Sequence, residues 1–208
     1  MSDPAASREW FNRLSVGALS LVDQLPDDAA HRPGLGNWTL GELAVHTLRA
    51  WTTLTKYLSE DEPEHPHVIS AADYLVAGLT QPGVHEGVEQ RARADAAEIG
   101  DSLSAAAHEA FAAAREALGE APNNRVVATR FGNLQVREYL RTRNLELAVH
   151  GLDLAGALDV EPPAVFAEAA VPALALLGEV AAKRGTALEL VRAATGRAPL
   201  RPDYTLLH

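Results

Sequence analysis

Residues 141–154 read RTRNLELAVHGLDL and lie at the centre of a helix predicted over residues 134–157. Polar side chains recur along this helix at alternating steps of four and three positions: Tyr139, Arg143, Glu146, His150 and Asp153. That spacing is the a/d period of a bundle seam, where apolar residues normally stand. Leucine and valine occupy most of the remaining surface. A helix that is apolar nearly all round is buried, so we expect the polar stripe to face an internal polar site.

Further helices are predicted on the N-terminal side of this one. A first helix ends at Pro26, and a second begins at a capping box formed by Thr39 and Glu42. The other predicted elements are a short helix over residues 71–78, a long alanine-rich helix over 88–118, and a brief extended stretch or hairpin over 126–133.

Together these elements predict an all-α fold. Four substantial helices without a convincing long strand indicate a four-helix bundle, which we place over residues 1–158. A proline-bearing break at 159–163 follows the last bundle helix, and shorter helices then begin near Pro172 and Leu188. Residues 159–208 are therefore predicted to be a C-terminal helical appendage and tail.

Composition and charge exclude several classes of function. The net charge is −10 at pH 7, which argues against a nucleic-acid surface, because such surfaces need clustered lysine and arginine. No apolar run approaches the roughly 20 residues that a membrane helix needs. The chain has no cysteine, which excludes disulfides, cysteine-bound zinc and a cysteine nucleophile, and favours a cytoplasmic location.

One metal site is predicted on the polar stripe. His150 follows Glu146 by four residues, so the two side chains project from one helix face, one turn apart. A carboxylate and an imidazole so placed can hold one ion, and His46 from the second helix can supply a third ligand. Two histidines and one glutamate suit zinc, nickel or iron(II) and leave positions open for water or substrate.

The same residues also have a purely structural interpretation. Arg143 with Glu146, and His150 with Asp153, have the spacing of ordinary i,i+3 pairs on a solvated surface. Glu-x-x-x-His is also a frequent chance pattern. From spacing alone, a metal site and a solvated helical face both stay open.

Two stretches of the sequence resemble a known family. Residues 36–46, GNWTLGELAVH, resemble the "gWTvreLvaHl" element of the DinB-like superfamily. Residues 141–154 resemble the "tR-x-x-E-x-x-x-H-x-x-D-L" element of its mycothiol-dependent maleylpyruvate isomerase branch. The two elements stand in the expected order and at about the expected separation, and the resemblance covers roughly residues 5–158.

The resemblance implies a DinB-like four-helix bundle in which His46, Glu146 and His150 bind a divalent metal. Zinc is the expected ion, with nickel or iron as alternatives, and mycothiol, a small thiol, is the implied co-substrate. The metal would stabilise the nucleophilic thiolate. Within that picture, Asp153 is expected to orient an imidazole, and Arg143 to pair with Glu146 or attract a substrate anion.

The expected activity is transfer of mycothiol to a small electrophile, or cis–trans isomerisation of that electrophile. The alternative is a non-catalytic, metal-binding DinB-like stress or interaction protein. The isomerase that names the branch carries a larger C-terminal domain, whereas only residues 159–208 follow the bundle here, so maleylpyruvate itself is not the expected substrate. The expected partners are the thiol and the electrophile, and pairing of two copies into a homodimer stays open.

Overall fold

A computed structural model describes residues 4–207, except for the side chains of Pro4, residues 84–86 and Asp101. In this part of the chain the predicted all-α fold is confirmed, and the helices are accompanied by one small hairpin. No helix among the described residues is long and apolar enough to cross a lipid bilayer. In chain order the elements are α1 (Pro4–Val22), α2 (Leu40–Ser59), α3 (Ala71–Leu79), α4 (Val84–Ile99), α5 (Leu103–Glu120), β1 (Val126–Thr129), β2 (Gly132–Gln135), α6 (Val136–Leu158), α7 (Ala164–Glu168), α8 (Ala170–Lys183) and α9 (Ala187–Ala194).

Helices α1, α2, α5 and α6 form the bundle. α1 packs along α6 and α2 along α5, while contacts of α2 with α6 and of α1 with α5 close the ring. The core between them is apolar, and Phe11, Trp51 and Leu147 are fully buried there. The Trp51 indole Nε1–H donates a hydrogen bond to Ser15 Oγ at 2.8 Å, which ties α2 to α1. This packing fixes α2 beside α6, the two helices that carry the predicted metal ligands.

The capping box predicted at the start of α2 is confirmed. Glu42 N–H donates to Thr39 Oγ1 at 3.1 Å, and Thr39 N–H donates to Glu42 Oε2 at 2.8 Å. A cap of this kind typically stabilises a helix by about 1 kcal/mol. Because the cap fixes where α2 begins, it also fixes the position of His46, about two turns further along.

The single long helix predicted over residues 88–118 is wrong. α4 and α5 are separate helices joined by a 3₁₀ turn at Gly100–Ser102. Gly100 has a φ of +58°, which favours glycine and interrupts the helix. The alanine periodicity continues across this break, so the pattern alone concealed it. α4 packs against α2 instead, where Asp95 accepts a hydrogen bond from Arg49 at 2.7 Å.

The sequence predicted a brief extended stretch or a hairpin between the third and fourth bundle helices, and the structure shows the hairpin. β1 and β2 pair antiparallel from Val126 opposite Gln135 to Thr129 opposite Gly132. Because β2 uses the residues that were predicted to start the last bundle helix, α6 begins at Val136, two residues later than expected.

The segment after residue 158 packs against the preceding helices through α7 and α8. Phe166 of α7 is buried in the bundle core, where a Cβ at Gly151 of α6 would lie 2.1 Å from its ring. α8 packs on α3 and α6, and Leu176 joins Leu145 in a second apolar cluster. The division of the chain at residue 158 stays a prediction.

Candidate metal centre

Three potential ligand atoms converge between α2 and α6. His46 lies on α2, and Glu146 and His150 lie one turn apart on α6. Glu146 Oε2 is 3.2 Å from His150 Nε2 and 4.0 Å from His46 Nε2, and all three donor atoms lie within 4.8 Å of one another. The fold therefore brings together side chains that the sequence could place only on two separate helices.

The two predicted catalytic residues lie beside this cluster. Asp153 Oδ2 is 3.1 Å from His150 Nδ1, the ring nitrogen on the far side from Glu146. Arg143 Nη2 is 3.9 Å from Glu146 Oε1, and the Arg143 guanidinium lies 4.8 Å from the centre of the Tyr139 ring. The predicted site thus consists of five neighbouring polar residues: His46, Arg143, Glu146, His150 and Asp153. The roles assigned to Arg143 and Asp153 stay predictions.

His46 is held as a neutral imidazole. Its side chain is 12% exposed, and its ring centre lies 4.7 Å from that of Trp38 and 4.7 Å from that of His150. Burial, together with the positive charge of His150, lowers the pKa of His46 to about 3. The neutral ring has a free lone pair, which is the form that binds metals. Its buried Nδ1 has no hydrogen-bond partner among the described residues.

Glu146 and His150 form a charged pair. Burial opposes ionisation of Glu146, but the hydrogen bond from His150 and the charge of Arg143 hold its pKa well below the usual range. Burial likewise opposes protonation of His150, but hydrogen bonds with Asp153 and Glu146 raise its pKa to about 9. Positive charge is therefore favoured between these donor atoms, and a divalent cation would supply it in place of the proton.

The donor set and its spacing fit a small divalent cation. A tetrahedral ion with bonds of about 2.1 Å holds its ligand atoms about 3.4 Å apart. The separations of 3.2 and 4.0 Å lie close to that value. Two imidazoles and one carboxylate also leave coordination positions open, as in catalytic zinc sites. Within the described part of the chain, no second group of three such side chains lies as close together.

A row of aromatic rings, which the sequence did not predict, leads away from this cluster. The ring centre of Tyr139 is 5.5 Å from that of Tyr57 and 5.8 Å from that of Tyr74, and Phe131 follows 5.4 Å from Tyr74. The Tyr139 hydroxyl hydrogen-bonds with Thr53 Oγ1 at 2.8 Å, and burial raises the pKa of Tyr139. We call these four rings the aromatic row. They come from α2, α3, the hairpin and α6, so no local pattern reveals them.

A comparison with protein families adds an independent finding. Residues 4–155 match the family model described as "Mycothiol maleylpyruvate isomerase N-terminal domain". The match runs from α1 into the last turn of α6 and includes all five polar residues of the site. No curated protein and no solved structure matches the chain. The chain belongs to the mycothiol maleylpyruvate isomerase N-terminal domain family, as residues 36–46 and 141–154 predicted.

Proposed function

We propose, from this family membership, that the chain is a metal-dependent enzyme that uses mycothiol and either transfers it to a small electrophile or isomerises that electrophile. The proposed ion is zinc, held by His46, Glu146 and His150. The family description supports the thiol and the isomerase chemistry. The three converging donor atoms support the metal. The cytoplasmic location and the homodimer stay predictions from the sequence.

The proposed reaction needs a sulfur nucleophile from outside the protein, because the chain has no cysteine. A zinc ion bound at the cluster would stabilise the thiolate form of that sulfur. Thiolate attack on an electrophilic carbon forms a C–S bond. In transfer, a leaving group departs with its bonding electrons. In isomerisation, the C–S bond breaks again after rotation about the neighbouring carbon–carbon bond.

Asp153 and Arg143 are proposed to position the ligands. The Asp153 carboxylate accepts from His150 Nδ1–H, which orients the ring and leaves Nε2 directed at the cluster. Arg143 lies next to Glu146 Oε1, which leaves Oε2 facing both histidines. Each of these contacts limits the rotation of one ligand side chain.

The convergence of three donor atoms carries the metal part of the proposal, and metal content tests it. Protein purified without chelator is expected to contain about one equivalent of zinc. His150→Ala should lose that metal, whereas His31→Ala, which removes an exposed histidine, should retain it. Elemental analysis measures the metal, and circular dichroism confirms that both variants fold. Equal loss in both variants would contradict the site, as would wild-type protein that takes up no added zinc.

Thiol use is tested separately from metal binding. Zinc-loaded protein and mycothiol should convert at least one member of a panel of small electrophiles, and His150→Ala should not. If the protein binds zinc but converts no electrophile, the alternative of a non-catalytic metal-binding stress or interaction protein would be favoured.

A further inference from the structure

The two histidines of the candidate metal centre differ in what fixes the orientation of their rings. His150 has a carboxylate at each ring nitrogen: Asp153 Oδ2 lies 3.1 Å from Nδ1, and Glu146 Oε2 lies 3.2 Å from Nε2. For His46, Glu146 Oε2 is 4.0 Å from Nε2, and the buried Nδ1 has no hydrogen-bond partner among the described residues. A histidine that binds a metal almost always donates its second ring N–H to a carboxylate, a carbonyl or a water molecule. His46 lacks this support, so a different contact must orient its ring.

Packing is the remaining way to orient the His46 imidazole. Rotation of a histidine ring about its Cβ–Cγ bond has only a broad, roughly two-fold preference, so the surrounding groups decide the orientation. Two aromatic rings lie against this one. The centre of the Trp38 ring is 4.7 Å from the imidazole, with 50° between the ring planes, and the centre of the His150 ring is also 4.7 Å away. Of these two neighbours, Trp38 is the one that is not itself a candidate ligand.

The backbone of Trp38 is fixed relative to helix α2. Its N–H donates to Leu35 O at 2.9 Å, and its carbonyl oxygen accepts from Gly34 N–H at 2.8 Å. The chain passes so close to itself in this turn that a Cβ at Gly34 would lie 2.5 Å from Thr39 O. Thr39 follows Trp38 directly and is the N-cap of α2. The indole is therefore anchored to the same helix that carries His46.

The Trp38 side chain acts on His46 through packing. It is half-buried against the bundle core, which restricts its own movement. Aromatic rings whose centres are about 4.5–7 Å apart are in favourable contact. An indole has one N–H donor and no acceptor, so it cannot accept a hydrogen bond from the His46 ring. Its effect on that ring is therefore steric.

We propose that Trp38 is a positioning residue of the metal centre. Its indole limits the rotation of the His46 imidazole and keeps Nε2 directed toward the other two ligands. Trp38 thus has at His46 the role that is proposed for Asp153 at His150, but it acts by contact instead of charge. This inference rests on the metal part of the proposed function and does not depend on the thiol chemistry.

Zinc affinity in three tryptophan variants tests this role. Trp38→Ala removes the ring that contacts His46 and should weaken zinc affinity at least about tenfold, as expected when a ligand loses its supporting contact. Trp38→Phe keeps an aromatic ring and should recover most of the affinity. Trp10→Ala is the matched control and should bind zinc like wild type, because it removes a half-buried tryptophan of α1 that lies against Arg13. Competition with a chromophoric chelator measures the affinity of each purified variant.

The visible absorption of cobalt(II), bound in place of zinc, separates positioning from a merely structural role. Tetrahedral cobalt absorbs visible light much more strongly than six-coordinate cobalt, so the spectrum reports on the ligands. At saturating cobalt, Trp38→Ala should absorb more weakly than wild type, because a His46 ring that rotates away leaves its coordination position to water. Trp38→Phe and Trp10→Ala should keep the wild-type spectrum. If Trp38 only stabilised the fold, Trp38→Ala would lower the free energy of unfolding but leave the cobalt spectrum of the folded protein unchanged.

Circular dichroism establishes that each variant folds before its metal binding is compared. If Trp38→Ala does not fold, Trp38→Leu, which keeps an apolar side chain against the core, takes its place with the same expected losses. The inference is overturned if that variant keeps the wild-type zinc affinity and cobalt spectrum. It is also overturned if Trp38→Phe loses as much affinity as the smaller variant, or if Trp10→Ala does.

Wild-type protein distinguishes failure of this inference from failure of the proposed function. If wild type binds neither zinc nor cobalt, the metal part of the proposed function and the role of Trp38 are both overturned. If wild type binds zinc and the Trp38 variants bind it equally well, the metal centre stands and only the role of Trp38 is overturned.

Discussion

The two sides of helix α6 differ in the interactions that fix their residues: electrostatic interactions on one side and steric packing on the other. Toward α2, the helix carries Glu146 and His150, whose positions depend on charge and hydrogen bonding. Toward α7, it carries Gly151, where the Phe166 ring leaves no room for a Cβ. His150 and Gly151 are consecutive residues. We call the side with Gly151 the steric side and the side with Glu146 and His150 the polar side. Packing on the steric side therefore sets the position of the backbone that carries the ligands of the polar side.

This contrast shows how a cluster of buried charges can be kept in place. Charged side chains are costly to bury and contribute little net stability of their own. Tight packing on the opposite side supplies the stability, because a close-packed interior resists displacement. We therefore expect mutations on the steric side to act first on the free energy of unfolding, and mutations on the polar side to act first on metal affinity.

The largest effect is expected at Gly151. In Gly151→Ala the new Cβ would lie 2.1 Å from the Phe166 ring, and overpacking of this kind should lower the free energy of unfolding by about 2 kcal/mol. Gly156→Ala is the matched control on the same helix, since nothing lies within 4 Å of a Cβ there. The control should gain about 0.5–1 kcal/mol from helix propensity. Urea denaturation measures the free energy of unfolding of both variants. Similar values for the two would contradict the steric role of Gly151.

A smaller effect is expected on the polar side, at Asp153. Asp153→Asn keeps the shape of the side chain but removes the charge that holds His150 Nδ1–H. Loss of such a supporting contact should weaken zinc affinity by about tenfold or somewhat more, with little change in unfolding midpoint. Competition with a chromophoric chelator measures the affinity, and Glu161→Gln, an exposed acid after α6, is the control. Affinity equal to that of wild type would show that Asp153 does not support the ligand.

The most gradual effect is the expected change of zinc affinity with pH. Because the pKa of His150 is raised to about 9 and that of His46 is lowered to about 3, only His150 must lose a proton when a metal binds near neutral pH. Zinc binding at pH 7 should therefore release about one proton, and affinity should rise about tenfold per pH unit up to the pKa of His150.

Calorimetry in buffers of different ionisation enthalpy measures this proton release. In Asp153→Asn the pKa of His150 should fall, because one of the groups that raises it has lost its charge, and the release at pH 8 should shrink. Binding that releases no proton at pH 7 would place the metal ligands elsewhere.

Features that depend on neighbours along the chain could be predicted from the sequence. The capping box at Thr39 and Glu42 depends on two residues that are three positions apart. The pairing of Glu146 with His150 depends on two residues that are four positions apart. His46 lies on another helix, so no spacing could pair it with Glu146 and His150; it was only one possible third ligand until the resemblance of residues 36–46 to a known element supported it.

Features that depend on a single backbone angle or on distant segments could not be predicted in this way. Gly100 interrupts an alanine pattern that continues on both sides of it, so periodicity did not reveal the break. That break places α4 against α2, where Asp95 accepts a hydrogen bond from Arg49. The aromatic row likewise depends on the packing of four separate elements.

The buried position of Phe166 bears on how the chain completes its fold during synthesis. The family match ends at residue 155, yet this ring fills space between α1 and α6 that belongs to the bundle core. A nascent chain that has released only the four bundle helices therefore still has a gap beside Gly17 and Gly151. The bundle core also includes Ala169, which follows α7. We therefore expect a chain that stops before residue 166 to be incompletely packed and to be cleaved by proteases more readily than the whole chain.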